Sequence, residues 1–355
     1  MKTKEEIENY FTATLNGQLD DLENQRLAII KSLSYKTVIP YLGGAAVVST
    51  VAYYILKEKY GEYEYVQNNL LAICIFFIPL VAVFAYIRVS AKRKKLFEPL
   101  KLDYQSKILG GITRLLHPDL KLEPSSGLSR ETFEHSRLFA KAKSYVSEVL
   151  TQGTVFGLPI QASLVKYYTV SESKNQKGES RRTTTTHFEG AYCIMKMNTG
   201  IDNFVRIKTK SVVKDTIADL LPDGNSNGLV KTLFSTFMGE VNNSVHMESG
   251  NKEFDEIYRL EAFDEKTAEQ FILSAWIERL MDFRKNQEWE INYYLDKNEL
   301  HVALGGFNMK GLEVTSPINE LVFTQTYINY VNDLLGFAEK ISVSHQAISN
   351  THPKK

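Results

Sequence analysis

Cysteine is nearly missing from this chain: 355 residues hold two, Cys74 and Cys193. Cys74 falls in an apolar run and Cys193 in an expected strand, so no disulfide framework is expected. An excess of one charge is missing too, since 42 basic side chains face 42 acidic ones. Residues 1–95 carry 12 of the basic and 9 of the acidic groups, leaving 30 and 33 for the rest. A slightly acidic body argues against phosphate-backbone binding, and no nucleic acid is expected as a partner. The paired His-Glu spacing of helical zinc proteases, the serine elbow and the glycine-rich dinucleotide fingerprint are all absent. No catalytic residue, metal or cofactor is therefore assigned.

Two weaker chemical signals remain. Gly224-Asn225-Ser226-Asn227-Gly228 is followed by Lys231 and Thr232, superficially like a phosphate loop. The true pattern needs four residues between its glycines and Lys directly after the second, so a turn at 224–232 is the better reading. The seven histidines are scattered singly. His135 beside Glu134, His246 near Glu248 and His301 near Glu299 are local neighbours, and only folding can assemble them into a site.

What the chain does have is two apolar runs without a charged residue, at 38–56 and 70–87. Each approaches the ~20 residues that span a bilayer as a helix. Arg88, Lys92, Arg93, Lys94 and Lys95 follow at once, whereas the intervening loop holds only Lys57 and Lys59. Basic flanks stay cytoplasmic, so residues 37–89 read as a transmembrane hairpin with both termini cytoplasmic. Gly43, Gly44, Ala45, Ala46 and Ser49 give the first run a small-residue face, and Pro79 kinks the second.

Residues 1–36 read as an amphipathic helix with a seam at Leu15, Leu19, Leu22, Ile29 and Leu33, interrupted by Arg26. That seam pairs either with another chain or with its own cytoplasmic domain. The domain, at 90–345, starts with a helix over Phe97 to Leu116, stopped by His117 and Pro118. Ser129 then caps a helix expected to reach about Leu150. From Val155 the period becomes two, and Val205 and Ile207 alternate with Arg206, Lys208 and Lys210. Residues 171–186, polar throughout, read as a loop in which Arg181, Arg182 and four threonines are the only phosphate candidates. Asp264 caps a helix whose face runs from Ala268 to Phe283, and Trp289 to Leu304 fits an antiparallel hairpin. A last helix spans about 319–341, and 346–355 is a polar tail. The fold class expected is α+β, with an N-terminal helix, the transmembrane hairpin and an antiparallel sheet flanked by helices.

Recurrent phrases accompany this layout. Phe188-Glu189-Gly190-Ala191-Tyr192 opens one, and Phe254, Tyr258 and Asp264 mark another, before Ile272-Leu273 and Glu278-Arg279-Leu280. In these the chain resembles the bacterial membrane family catalogued as domain of unknown function 3137. The resemblance implies a multi-pass protein of the bacterial inner membrane. It implies a LemA-type membrane protein as partner class and carries no catalytic residue with it. The role expected is a membrane-anchored interaction or scaffold module, with the lipid bilayer and a protein, or a second copy, as partners. The alternative is a membrane-associated hydrolase of lipid or nucleotide.

Overall fold

The computed structural model describes residues 6, 9–33, 43, 44, 47, 50, 51, 54, 55, 58, 83, 87–174, 180–210, 244–285, 287, 289–307, 309–318 and 322–351. These form two compact units, one of 11–104 with 312–320, the other of 1–10, 105–311 and 321–355.

In the smaller unit, a π-helical turn at Phe11–Leu15 leads into helix α1 (Asn16–Ser32). Leu15, Leu19 and Leu22 are buried along the seam, and so is Arg26. Arg26 does not interrupt the seam, because it lies in a fork with Glu23 (2.6 Å) and donates to the Thr315 carbonyl (3.4 Å). Glu23 also accepts from the Ile318 amide at 2.9 Å. At Glu23 and Arg26 the seam is thus met by Thr315 and Ile318 of the same chain. Residues 87–103 are helical, with Arg88, Lys92, Arg93, Lys94 and Lys95 exposed and Phe97 and Leu100 buried.

The larger unit is built on β-branched and aromatic residues, which fit a pleated surface. Its described strands are β1 (Lys121–Glu123), β2 (Ser144–Val155), β3 (Leu158–Lys174), β4 (Ser180–Lys196), β5 (Val205–Thr209), β6 (Val245–Met247), β7 (Tyr258–Ala262), β8 (Ile291–Leu295) and β9 (Glu299–Gly305). They make one sheet in the order β1-β2-β3-β4-β9-β8-β5-β7-β6, antiparallel at every pairing. A two-residue turn joins β2 to β3, with Phe156 at φ 50° and Gly157 at φ 83°. Positive φ at both central positions matches the strands' twist.

Helices α2 (Gly110–Leu116), α3 (Arg130–His135), α4 (Lys252–Ile257), α5 (Glu265–Leu273), α6 (Trp276–Lys285) and α7 (Val322–Thr351) complete the unit. The registers run a cross-strand row through Thr151, Ala162, Cys193, Val302, Tyr293, Ile207 and Leu260 on one face. Helices α2, α6 and α7 cover this face: the Tyr327 hydroxyl lies 2.9 Å from Thr113 and 3.4 Å from Thr151, and Phe337 stacks on Phe283. Burial among these apolar groups pushes the Cys193 thiol far up, so it packs as a small hydrophobe. On the opposite face Phe133, Phe139, Tyr167, Phe188 and Tyr192 form an aromatic cluster under the 128–142 segment.

The helix caps are local devices. Ser129 accepts from the Thr132 amide, Asn251 from Phe254 and Asp264 from Thr267. Asn251→Ala is expected to cost about 1 kcal/mol, since an N-cap side chain satisfies an otherwise orphaned amide. Urea denaturation checks it.

Four expectations are corrected. The transmembrane hairpin is not shown: among the described residues no helix is long and apolar enough to cross a membrane. The longest, α7, carries Asp333, Glu339 and Lys340 and packs its apolar side within the unit. Most of 38–56 and 70–87 lies outside the described residues. The fold is corrected to a nine-stranded antiparallel sheet with flanking helices, and a multi-pass inner-membrane location with cytoplasmic termini has no helix among the described residues to carry it. Second, the helix from Ser129 stops at His135, and Ser144 to Leu150 is strand. Third, the expected face from Ala268 to Phe283 is two helices, because the Ser274 hydroxyl donates to the Phe271 carbonyl and accepts from the Trp276 amide. Fourth, much of 171–186 is not loop but paired strand, from Ser171↔Thr183 to Lys174↔Ser180. The turn at 224–232 lies outside the described residues.

Candidate functional site

Two features of the larger unit assemble chemistry: a polar row across one face of the sheet and the projecting end of β3–β4.

The row follows from register. His301 faces Tyr294, Tyr294 faces Arg206, Arg206 faces Glu261 and Glu261 faces His246. Arg206, Glu261 and His301 are each no more than 1% exposed. The Glu261 carboxylate lies 3.5 Å from Arg206, 3.1 Å from Lys208 and 3.9 Å from Arg259. Burial raises its pKa, but the Lys208 and Arg206 charges outweigh that and leave it below the usual range. A carboxylate held ionised this firmly is no general acid near neutral pH. Arg206 also stacks on Phe204, its guanidinium carbon 4.8 Å from the ring centroid. His246 meets Arg259 through both ring nitrogens, at 3.1 and 2.5 Å.

At the β8–β9 end, folding brings three of the local pairs' members together. His301 Nδ1 is 2.7 Å from the Tyr192 hydroxyl and Nε2 is 3.0 Å from Glu299. Glu299 accepts at Nε2, so the network assigns the proton there and lets Tyr192 donate to Nδ1. The hydrogen bond from His301 holds the Glu299 carboxyl low, and burial drives the Tyr192 phenol far up. His135, at the end of α3, lies 3.3 Å from the Tyr294 hydroxyl and 3.8 Å from Asp296. Glu134 instead accepts from Tyr167 at 2.6 Å and pairs with Arg130 at 2.8 Å. Both ring nitrogens of the buried His301 are engaged by protein groups. The arrangement clamps α3 and its flanking segment to the sheet. No group of three or more His, Cys, Asp and Glu side chains among the described residues could hold a metal ion.

The residues of the recurrent phrases are placed as packing elements. Phe188 stacks on Phe139 at 4.5 Å, Gly190 is paired with Gly305, and Phe254 lies 5.1 Å from Tyr258, which opens β7. Burial pushes the Tyr258 hydroxyl up to about 12. Asp264 is a cap, and Arg88 with Lys92 to Lys95 belongs to the smaller unit.

The second feature is an arm. β2 ends its pairing with β3 at Ser144↔Tyr168, and β9 ends its pairing with β4 at Gly190↔Gly305. Past these limits β3 and β4 continue as a ribbon, paired with each other from Thr169↔Thr185 to Lys174↔Ser180. A bulge opposite Tyr167/Tyr168 marks where the ribbon leaves the sheet, with the Thr169 hydroxyl 3.0 Å from His187. Residues Ser180 to Thr186 are all exposed. Among the described residues neither edge of this ribbon is bordered by a third strand.

The geometry defines an α+β protein with an extended antiparallel sheet and a projecting strand pair. No family model matches the sequence, and no curated protein matches it. The resemblance drawn from the recurrent phrases therefore stands on those phrases alone. Among solved structures, the chain is similar to the crystal structure of the mycobacterial trehalose monomycolate transport factor A, TtfA. The TM-score is 0.28 at 10% identity, over 66% of this chain and 96% of that one. At that score the likeness assigns neither fold nor role.

Proposed function

We propose that this chain is a protein-interaction module whose β3–β4 arm captures an extended segment of a partner. The observation that carries the reading is the ribbon whose two edges no other strand borders among the described residues, each a row of backbone donors and acceptors. Natural sheets cover or shorten such edges, because an open one templates pairing with another chain. Strand addition supplies main-chain hydrogen bonds for affinity and side-chain positions for selectivity. The polar row supports the same reading, since its charges hold the scaffold from which the arm projects. A LemA-type protein and a second copy are the partners the sequence raises.

A photo-crosslinking residue at Thr184 in cells tests this. A reproducible adduct with one protein, which no longer co-purifies with a chain whose residues 170–185 are replaced by an Asn-Gly turn, is the expected result. Adducts identical to those from a probe at the exposed Thr154, away from the arm, would overturn the reading.

A further inference from the structure

We infer that the arm's β4 edge takes an acidic, β-branched strand of another protein, running antiparallel along Ser180 to Thr186. This rests on the interaction reading above and names the edge, the direction and the chemistry of the occupant.

The two edges differ in charge. β3 contributes Thr169 to Lys174, with one acidic residue (Glu172) and one basic (Lys174), whereas β4 contributes Arg181, Arg182 and four threonines at 183–186 and no acidic residue. Arg182 faces Glu172 across the ribbon, but Arg181 faces the neutral Ser173. On its open side, a neighbouring strand would place one residue beside each arginine, on opposite faces of the ribbon. Opposite charge there stabilises the pair and like charge destabilises it. The β3 edge, where Glu172 and Lys174 balance, lacks that preference for acid.

Direction and composition follow from the same pairing rules. Every pairing in the sheet is antiparallel, and antiparallel ladders are somewhat the stronger per residue. An antiparallel occupant meets Thr186 first and Arg182 and Arg181 last. Its acidic residues therefore lie toward its C-terminal end, after β-branched residues that pair with the threonines. Ser180 to Thr186 offers an edge of roughly 23 Å at about 3.3 Å per residue. Beyond it the edge closes, because the Glu189 carbonyl accepts from Gly306 and the Glu189 side chain is bonded to Lys166 and to the Met309 amide.

The probe is a fluorescein-labelled peptide of order Thr-Val-Thr-Val-Glu-Glu-Thr, with a counterpart bearing Lys at both acidic positions. The full chain is expected to bind the acidic peptide and to bind the basic one about tenfold more weakly. Arg181→Glu/Arg182→Glu, both exposed, should reverse that order, with the melting temperature lowered only slightly by the like charge set opposite Glu172. Added salt should narrow the difference. The arm-deleted chain should bind neither peptide. Equal binding of the two peptides, or none, overturns the acidic-strand assignment, and the Thr184 crosslink then reports separately whether the arm binds a protein. A dimer lost on arm deletion but kept in the double arginine variant would assign the edge to a second copy instead.

Discussion

Gly190→Ala is expected to destabilise the larger unit by about 3 kcal/mol, the upper end of what an inserted methyl group does in a packed interior. A Cβ on Gly190 would overlap the Leu304 carbonyl oxygen and meet the Gly305 Cα at 3.0 Å. Those atoms are backbone of β9, so no side chain can rotate away. Relief requires parting β4 from β9 where Gly190 pairs with Gly305, at the base of the arm. A glycine inside a strand marks such a close approach. Since β9 joins β4 to β8, the strain falls on the middle of the sheet. A drop in melting temperature of about 6–12 °C follows for a unit of this size. Gly17→Ala is the control, because nothing lies within 4 Å of its added Cβ in α1. Alanine there should leave stability unchanged or raise it by about 1 kcal/mol. Similar melting temperatures for both variants would refute the close approach.

The hairpin at Trp289 to Leu304 was readable because alternation and turn agree: Ile291 to Leu295 and Leu300 to Leu304 flank a turn in which Asp296 accepts from the Asn298 and Glu299 amides. Ser144 to Leu150 misled for a definite reason. Tyr145, Val146, Val149 and Leu150 recur at three and four, as on a helix, because a bulge between Glu148 and Thr151 breaks the strand's period of two. Val149 stands there at φ 61°, a conformation no propensity anticipates. The arm shows no apolar alternation, since Val170 is the one apolar residue among its described positions. Its four threonines were the available signal, being β-branched and suited to strands.

The candidate site was harder still. Arg206 and Lys208 alternate with Val205 and Ile207, which by itself describes a strand with one wet face. The structure buries that face as well, and Glu261, more than fifty residues away in sequence, supplies the countercharge. Nothing local in Tyr258 to Ala262 announces the pairing. Register does, and register between β5 and β7 is a property of the whole sheet.

Glu261→Ala is the second large effect expected, a loss of roughly 3–5 kcal/mol, because removing one partner leaves buried charge without its counterion. Arg206 is 1% exposed and Lys208 lies 3.1 Å from the carboxylate, so both would lose a near countercharge. Glu261→Gln keeps the shape and some hydrogen bonding, and should lose less than Ala while still removing the charge. The same carboxylate sets an acid limit. Its folded pKa lies below the ordinary 4.5, since Lys208 and Arg206 outweigh burial. A group depressed in the folded state contributes stability that is complete above its unfolded pKa and fades as pH falls through the folded value. Wild-type stability should therefore drop as pH falls below about 4.5, and Glu261→Gln should flatten that part of the curve. Urea midpoints measured from pH 7 to pH 3 decide it: parallel curves for the two proteins would mean that Glu261 is not the buried anion of the row.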